Sequence, residues 1–235
     1  MESRSYSTLQ QRIGYKFNDL EILKNALTHS SYANEAGLPF NKNNERLEFI
    51  GDAYLDAFIG IALFELMPKV KEGVLSKRRA DIVCEKSLSQ VAKEIGLGEF
   101  ILLGKGEDQG GGRNKSSILA DTVEAIIGAI VIDGGVTEAE RVVLDLFNQY
   151  ILLSVQGRLN QDYKSMLQEI LQERYKNIRI EYKEVSEKGP DHAKEFVVAL
   201  IANDKELGRG KGSSKKEAEQ NAAGNVIKSI NHKNV

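Results

Sequence analysis

The stretch Asn44-Glu45-Arg46-Leu47-Glu48-Phe49-Ile50-Gly51-Asp52-Ala53-Tyr54-Leu55 opens a segment whose composition contradicts itself. From Leu47 to Met67 the chain reads as one helix that is apolar almost all the way round, with Leu47, Phe49, Ile50, Leu55, Phe58 and Ile59 on its several faces. Such a helix belongs in the middle of a bundle. Yet Glu48 and Asp52 stand four apart, on one face near its start. A carboxylate left unpaired in a core costs several kcal/mol unless a cation meets it. The nearest base, Arg46, is two positions from Glu48 and points elsewhere. The acids are poorly placed for stability, so the rest of the chain is read for their purpose.

Ile118 to Ile132 repeats the pattern. Ile118, Leu119, Val123, Ile126, Ile127 and Ile130 describe a second buried helix, whose only charges, Asp121 and Glu124, again lie one turn apart. If the two helices pack face to face, the carboxylates of Glu48, Asp52, Asp121 and Glu124 converge. Their repulsion then raises their pKa values or calls for cations. No histidine or cysteine accompanies them, and an all-oxygen site suits Mg²⁺ or Mn²⁺. Hard divalent ions held by carboxylates are the usual equipment for phosphoryl-oxygen chemistry. The bland alternative is that these acids favour a helix N-terminus through its dipole. That would cover Glu48 or Asp121 alone and fits Asp52 and Glu124 less well.

The rest of the first half is helical too. Residues 7–36 read as a helix pair, with His29 packed at the end rather than acting as a site residue. Asn43 or Asn44 is the expected N-cap of the central helix, which ends near Pro68. Ser76 is the expected N-cap of a helix running through about Ile95. The loop from Gly104 to Lys115 is rich in glycine and carries three bases. It lacks the strand–loop–helix setting of a nucleotide fold and reads as a flexible connector. A last helix spans Glu138 to about Leu153.

After a linker at 155–161 the period changes. Tyr163–Arg174 reads as a helix, and Arg179–Val185, Phe196–Ala202 and Lys205–Gly210 as strands. Ser214–Ile230 closes with a helix. This α-β-β-β-α module, at about 70 residues, is small but large enough to fold alone. Charge divides along the same line: residues 1–159 carry net −4 and residues 160–235 net +2. Gly208 to Lys216 runs from a strand into the last helix with three lysines, an anion site without P-loop spacing, so a phosphate backbone suits it better than a mononucleotide. Gln168, Glu169 and His192 are candidates to meet sugar hydroxyls. The single cysteine, Cys84, excludes an internal disulfide and a cysteine-based metal site. No apolar run approaches a membrane span and Met1–Gln11 has no signal-peptide core, so the expected compartment is the cytoplasm.

At these residues the sequence resembles bacterial ribonuclease III. Asn44–Asp52 resembles the family's signature nonapeptide. Glu72-Gly73-x-Leu75-Ser76 and Ser117 to Ala125 resemble its second and third motifs. Residues 162–230, with Gly189-Pro190-Asp191-His192 and Ser214 to Gln220, resemble the double-stranded-RNA-binding domain.

The resemblance implies an all-α N-terminal endonuclease domain (1–154) that forms a homodimer, followed by a small α+β RNA-binding domain (162–231). By carry-over Glu48, Asp121 and Glu124, with Asp52 beside them, hold Mg²⁺ (Mn²⁺ substituting). Asp52 and Glu124 are the essential catalytic acids, and Glu45 and Glu72 accessory ones. Phe49 maps to an aromatic that inserts into the partner subunit. Ser165, Gln168 and Glu169 map to the first RNA-contact helix, His192 to a minor-groove loop, and Ser214, Lys215 and Lys216 to a phosphate clamp. Three departures, Val74, Tyr54 and Ser165, remove no metal ligand.

The expected activity is hydrolysis of double-stranded RNA to 5′-phosphate and 3′-hydroxyl ends with short 3′ overhangs, on substrates such as ribosomal RNA precursors. Recognition by shape and phosphates follows from A-form geometry. The rival reading is a non-catalytic double-stranded-RNA-binding dimer, which has no use for four acids in a core.

Overall fold

The computed structural model describes residues 6–159, 163–175, 178–188 and 194–232, and for residues 165, 169, 174, 231 and 232 the backbone only. The chain divides into two compact units, residues 1–160 and 161–235.

The first unit is helical. Its elements are α1 (Tyr6–Ile13), α2 (Leu20–Ala26), α3 (Ser30–Glu35), α4 (Glu45–Leu66), α5 (Glu72–Ile82), α6 (Glu85–Glu94), α7 (Lys105–Gln109), α8 (Ser116–Gly134) and α9 (Val136–Val155). Helix α8 is the buried axis: Ile118, Leu119, Val123, Ile126, Ile127 and Ile130 are each at most 5% exposed. Leu55, Phe58, Ile59 and Leu63 of α4 and Val142, Val143 and Phe147 of α9 complete the core. At its far end Asp133 accepts hydrogen bonds from the Tyr15 hydroxyl (2.7 Å) and from the backbone N–H groups of Asn18 and Asp19 (2.8 and 2.9 Å), pinning the N-terminal loop to α8.

Several expectations change. The segment 7–36 holds three short helices rather than two. The helix expected from Ser76 to Ile95 is two. It starts at Glu72, with Lys71 as N-cap, and Ser76 lies inside it, donating to Glu72 at 2.6 Å. The chain breaks at Val83–Cys84 because Ser87 Oγ and Cys84 Sγ turn back to the Asp81 carbonyl (3.0 and 3.3 Å), satisfying a group that a continuing helix would have bonded. The glycine-rich segment is a bonded structure. Arg113 pairs with Asp108 (2.7 Å) and donates to the carbonyls of Gly98 and Ile101, and Lys115 pairs with Glu107. After α9, Gly157 adopts φ +70° and Leu159 turns back to bond Leu153 and join the first core. The first part of the expected linker therefore packs with the helical unit.

Helix α4 is the largest surprise. Phe49, Ile61 and Phe64 are 75, 49 and 69% exposed, and Ala53 and Ala57 are exposed between them. These positions, three or four apart, form one apolar stripe on the surface.

The second unit follows the expected order: α10 (Tyr163–Arg174), β1 (Ile180–Lys188), β2 (Glu195–Ala202), β3 (Lys205–Gly212) and α11 (Lys215–His232). The sheet is antiparallel in the order β1-β2-β3, with Tyr182 opposite Leu200 and Leu200 opposite Gly208. Leu167, Leu171, Leu200, Ala222, Ala223 and Val226 form the core between sheet and helices. A Cβ on Gly210 would overlap the backbone of α11 at Ala222 and Ala218. The glycines at 208, 210 and 212 thus let α11 lie directly on β3, rather than forming a loop that wraps an anion.

Candidate functional site

Helices α4 and α8 meet where both lack a side chain. A Cβ on Gly51 would overlap the carbonyl oxygen of Glu124, and one on Gly128 that of Leu47. Backbone touches backbone, which no larger residue permits. One turn from this crossing, carboxylate oxygens of Glu48, Asp121 and Glu124 all lie within 4.8 Å of one another. All three side chains are half-buried.

No lysine or arginine figures among the charges acting on this trio. Burial pushes the Glu124 carboxyl up to about 8, with Asp52, Glu48 and Asp121 adding repulsion. Burial likewise pushes Glu48 up to about 7, reinforced by Asp121, Glu45 and Asp52. Asp121 is raised by burial and by Glu85, against a lowering from His29. Without a cation, repulsion within the cluster is eased by protons that Glu48 and Glu124 keep near neutral pH. Three convergent carboxylates with no nitrogen or sulfur ligand fit a hard divalent cation, whose charge would replace those protons.

The remaining predicted acids lie around the trio. Asp52 is exposed, close enough to raise both Glu48 and Glu124 but outside the tight cluster. Glu45 is exposed in the first turn of α4 and acts on Glu48. Glu72 is exposed at the start of α5, engaged by Ser76. His29 is the N-cap of α3, its Nδ1 accepting from the Ser31 N–H at 3.2 Å, and its charge also reaches Asp121. Two acids escaped the sequence reading. Glu85 reaches Asp121 because α6 begins there, and a single helix across Val83–Cys84 would have hidden that. Asp56 acts on Glu124 and lies 3.8 Å from Arg79; its signal was its place one turn after Asp52.

In the second unit, Gln168 is exposed on α10. It lines a shallow groove of about 160 Å³ with Lys164, Gln172, Ile180 and Tyr182. Ser165 and Glu169 lie on α10, and their side chains fall outside the described residues, as does His192. Ser214 Oγ accepts from the Glu217 N–H (3.2 Å), capping α11. Lys215 is paired with Glu184 at 2.8 Å and lies 5.9 Å from the Phe196 ring centroid. Lys216 is exposed beside it.

Comparison with known proteins decides the family. A family model described as Ribonuclease-III-like matches residues 19–151, and the double-stranded RNA binding motif matches residues 163–230. Ribonuclease 3 of Borreliella afzelii is 47% identical over 224 residues, 95% of this chain and 91% of the relative. The chain belongs to the ribonuclease III family. Ribonuclease 3 of Pseudothermotoga lettingae is 43% identical over 232 residues, 97% of both chains. The solved nuclease domain of ribonuclease III from Campylobacter jejuni, whose description concerns flexibility in a region involved in dimer formation, matches with a TM-score of 0.58 at 43% identity. It covers 62% of this chain and 98% of that one. The chain is thus an endoribonuclease of double-stranded RNA, with a helical nuclease domain and an α-β-β-β-α RNA-binding domain. The family is metal-dependent, and among the described residues the acidic trio is a cluster that could hold an ion. Among the described residues no helix is long and apolar enough to cross a membrane.

Proposed function

We propose that this ribonuclease III uses Mg²⁺, with Mn²⁺ able to substitute, held by Glu48, Asp121 and Glu124 with Asp52 at the rim. The observation that carries this is the convergence of three half-buried carboxylates across the Gly51–Gly128 contact, with no lysine or arginine among the described residues acting to neutralise them. When bound, the ion supplies positive charge that activates water and stabilises charge on the phosphodiester oxygens. To Asp52, exposed next to the trio, we assign the uptake of the proton of the attacking water or its passage to the leaving oxygen. The bond from water oxygen to phosphorus forms, the bond to the 3′ oxygen breaks, and that oxygen gains the proton. The products are 5′-phosphate and 3′-hydroxyl ends. Glu45 and Glu72 are assigned accessory roles.

The exposed apolar stripe of α4, headed by Phe49, supports a homodimer with one site per subunit. Two cuts on opposite strands then leave short 3′ overhangs. In the RNA-binding domain we assign duplex contacts to Ser165, Gln168, Glu169, His192, Ser214, Lys215 and Lys216. We take the boundary between the two domains to follow Leu159, near the division of the chain into residues 1–160 and 161–235. Structured precursors of ribosomal RNA in the cytoplasm are the proposed substrates.

The test follows a labelled RNA duplex with the wild type and Glu124→Gln, in Mg²⁺ or in chelator. Metal-dependent cutting that the variant loses, with duplex binding kept, is the expected result. Binding without cutting by the wild type in both Mg²⁺ and Mn²⁺ would instead make the protein a double-stranded-RNA binder.

A further inference from the structure

One residue ties the start of α10 to α11. The Lys164 ammonium donates to the Glu219 carboxylate at 2.6 Å and stands 4.4 Å from the centre of the Tyr182 ring on β1. The Lys164 backbone N–H donates to Gln220 Oε1 at 3.2 Å. Beside it the Tyr163 ring packs where Gly224 has no side chain; a Cβ there would come within 3.1 Å of the ring. The Lys164 and Glu219 side chains are only 35 and 27% exposed, so the pair is partly sheltered from water. Of the other ion pairs described in this unit, Lys194–Glu187 is about as sheltered, at 35 and 37%, and in each of the rest one partner is more than half exposed.

Residues four apart share a helix face. Lys164 therefore stands on the stripe of Gln168 and Gln172 along α10, and Glu219 on the stripe of Lys215 along α11. The Lys164–Glu219 contact joins these two stripes end to end. Of the ion pairs described in this unit, it is the one that connects α10 to α11.

We propose that Lys164 is a positioning residue for duplex RNA. Through Glu219, Gln220 and Tyr182 it fixes the separation between the glutamine face of α10 and the lysine-bearing start of α11, so that both engage one duplex at once. This rests on the reading that these two surfaces hold RNA. A domain of this type spans about 16 base pairs, touching successive minor grooves and the phosphates between them. Two contact patches on one rigid body gain from each other because the second engagement is intramolecular, and that gain is lost when their geometry loosens. The Lys164 charge is already taken up by Glu219 and the ring, so its part in binding is geometric.

The experiment uses the full-length protein in Ca²⁺ or chelator, to measure binding without cutting. Affinities are compared for duplexes of about 20 base pairs, which reach both patches, and about 8, which reach one. Lys164→Met keeps the stem over Tyr182 and removes the ion pair, and Glu219→Gln removes it from the other side. Both are expected to lose about tenfold in affinity for the long duplex and less than about twofold for the short one, with the salt dependence unchanged. Lys164→Arg, which keeps charge, ion pair and ring contact, is expected to retain the length preference. If Lys164→Met unfolds the unit, Glu219→Gln decides on the same two duplexes. Equal losses on both duplexes in the folded variants, with a shallower salt dependence, would make Lys164 a direct phosphate contact and overturn the proposal, as would unchanged affinities. A wild type with no preference for the longer duplex would instead overturn the assignment of the two RNA surfaces.

Discussion

Replacing Glu124 with glutamine should stabilise the metal-free enzyme while abolishing its metal response, and the stabilisation should appear only as pH rises. In the folded chain this carboxyl is pushed from 4.5 to about 8 by burial and four neighbouring acids. Between those values the folded state holds a proton that the unfolded state has released, so stability falls as pH increases through the window. Fully sheltered, such a displacement would amount to about 5 kcal/mol. The carboxyl is only half-buried and water screens it, which leaves about 1–2 kcal/mol. For a unit of this size that corresponds to roughly 2–8 °C in Tm. Thermal melts in chelator should show wild type and Glu124→Gln nearly level at about pH 5, with the variant ahead by that margin at about pH 9. Saturating Mg²⁺ should reverse the order: at about 100 times Kd the wild type gains about 2.7 kcal/mol, which a variant lacking this ligand forgoes. A variant that melts below the wild type in chelator at high pH, or a gap that does not change with pH, would refute the reasoning.

Three further expectations follow from the same geometry. Gly51→Ala places a methyl against the Glu124 carbonyl; it should cost about 1–3 kcal/mol and slow cutting although it removes no ligand. Denaturant titration and single-turnover cutting check this, and wild-type values in both would show that the helices need not touch. Mg²⁺ binding should displace protons from Glu48 and Glu124, whose carboxyls are raised to about 7 and about 8. Apparent affinity should therefore tighten from about pH 6 to about pH 9. Calorimetric heats that do not depend on the buffer's ionisation enthalpy would contradict it. Glu184→Gln removes the carboxylate 2.8 Å from Lys215 and should raise duplex affinity about threefold at low salt, an effect that fades as salt rises. A fall in affinity would mean that Glu184 orients Lys215 rather than competing for it.

The buried faces were legible because their periods are strong. The apolar repeat of α8 and the strand β2 reappear in the structure with ends within a residue or two of expectation. The acidic trio was legible because Glu48, Asp121 and Glu124 interrupt helices otherwise built for burial. What the sequence hid were consequences of close packing. Nothing local marks Gly51 and Gly128 as a contact point, since a glycine inside a helix reads only as a weak helix former. The break at Val83–Cys84 depends on Ser87 and Cys84 reaching back to one carbonyl, with no proline or glycine to announce it. The stripe from Phe49 to Phe64 was read as core because an apolar residue carries no sign of whether its partner belongs to the same chain.

The two domains handle charge in opposite ways, and the difference bears on how RNA and metal act on the enzyme. In the nuclease domain, acids are gathered with no lysine or arginine among the described residues acting on the trio, and backbone contact between α4 and α8 keeps them from moving apart. A metal ion therefore relieves repulsion that the fold sustains, and binding and stability rise together. In the RNA-binding domain several cations are already engaged: Lys215 with Glu184, Lys211 with Glu195, Arg209 with Glu206. A phosphate that reaches Lys215 exchanges one carboxylate partner for another anion, and the net gain is smaller than for a free lysine. Duplex affinity then depends less on the number of bases than on whether several phosphates arrive together in the right places. Rigid placement of α10 against α11 matters for that reason, and so does the A-form geometry that fixes the spacing of the phosphates.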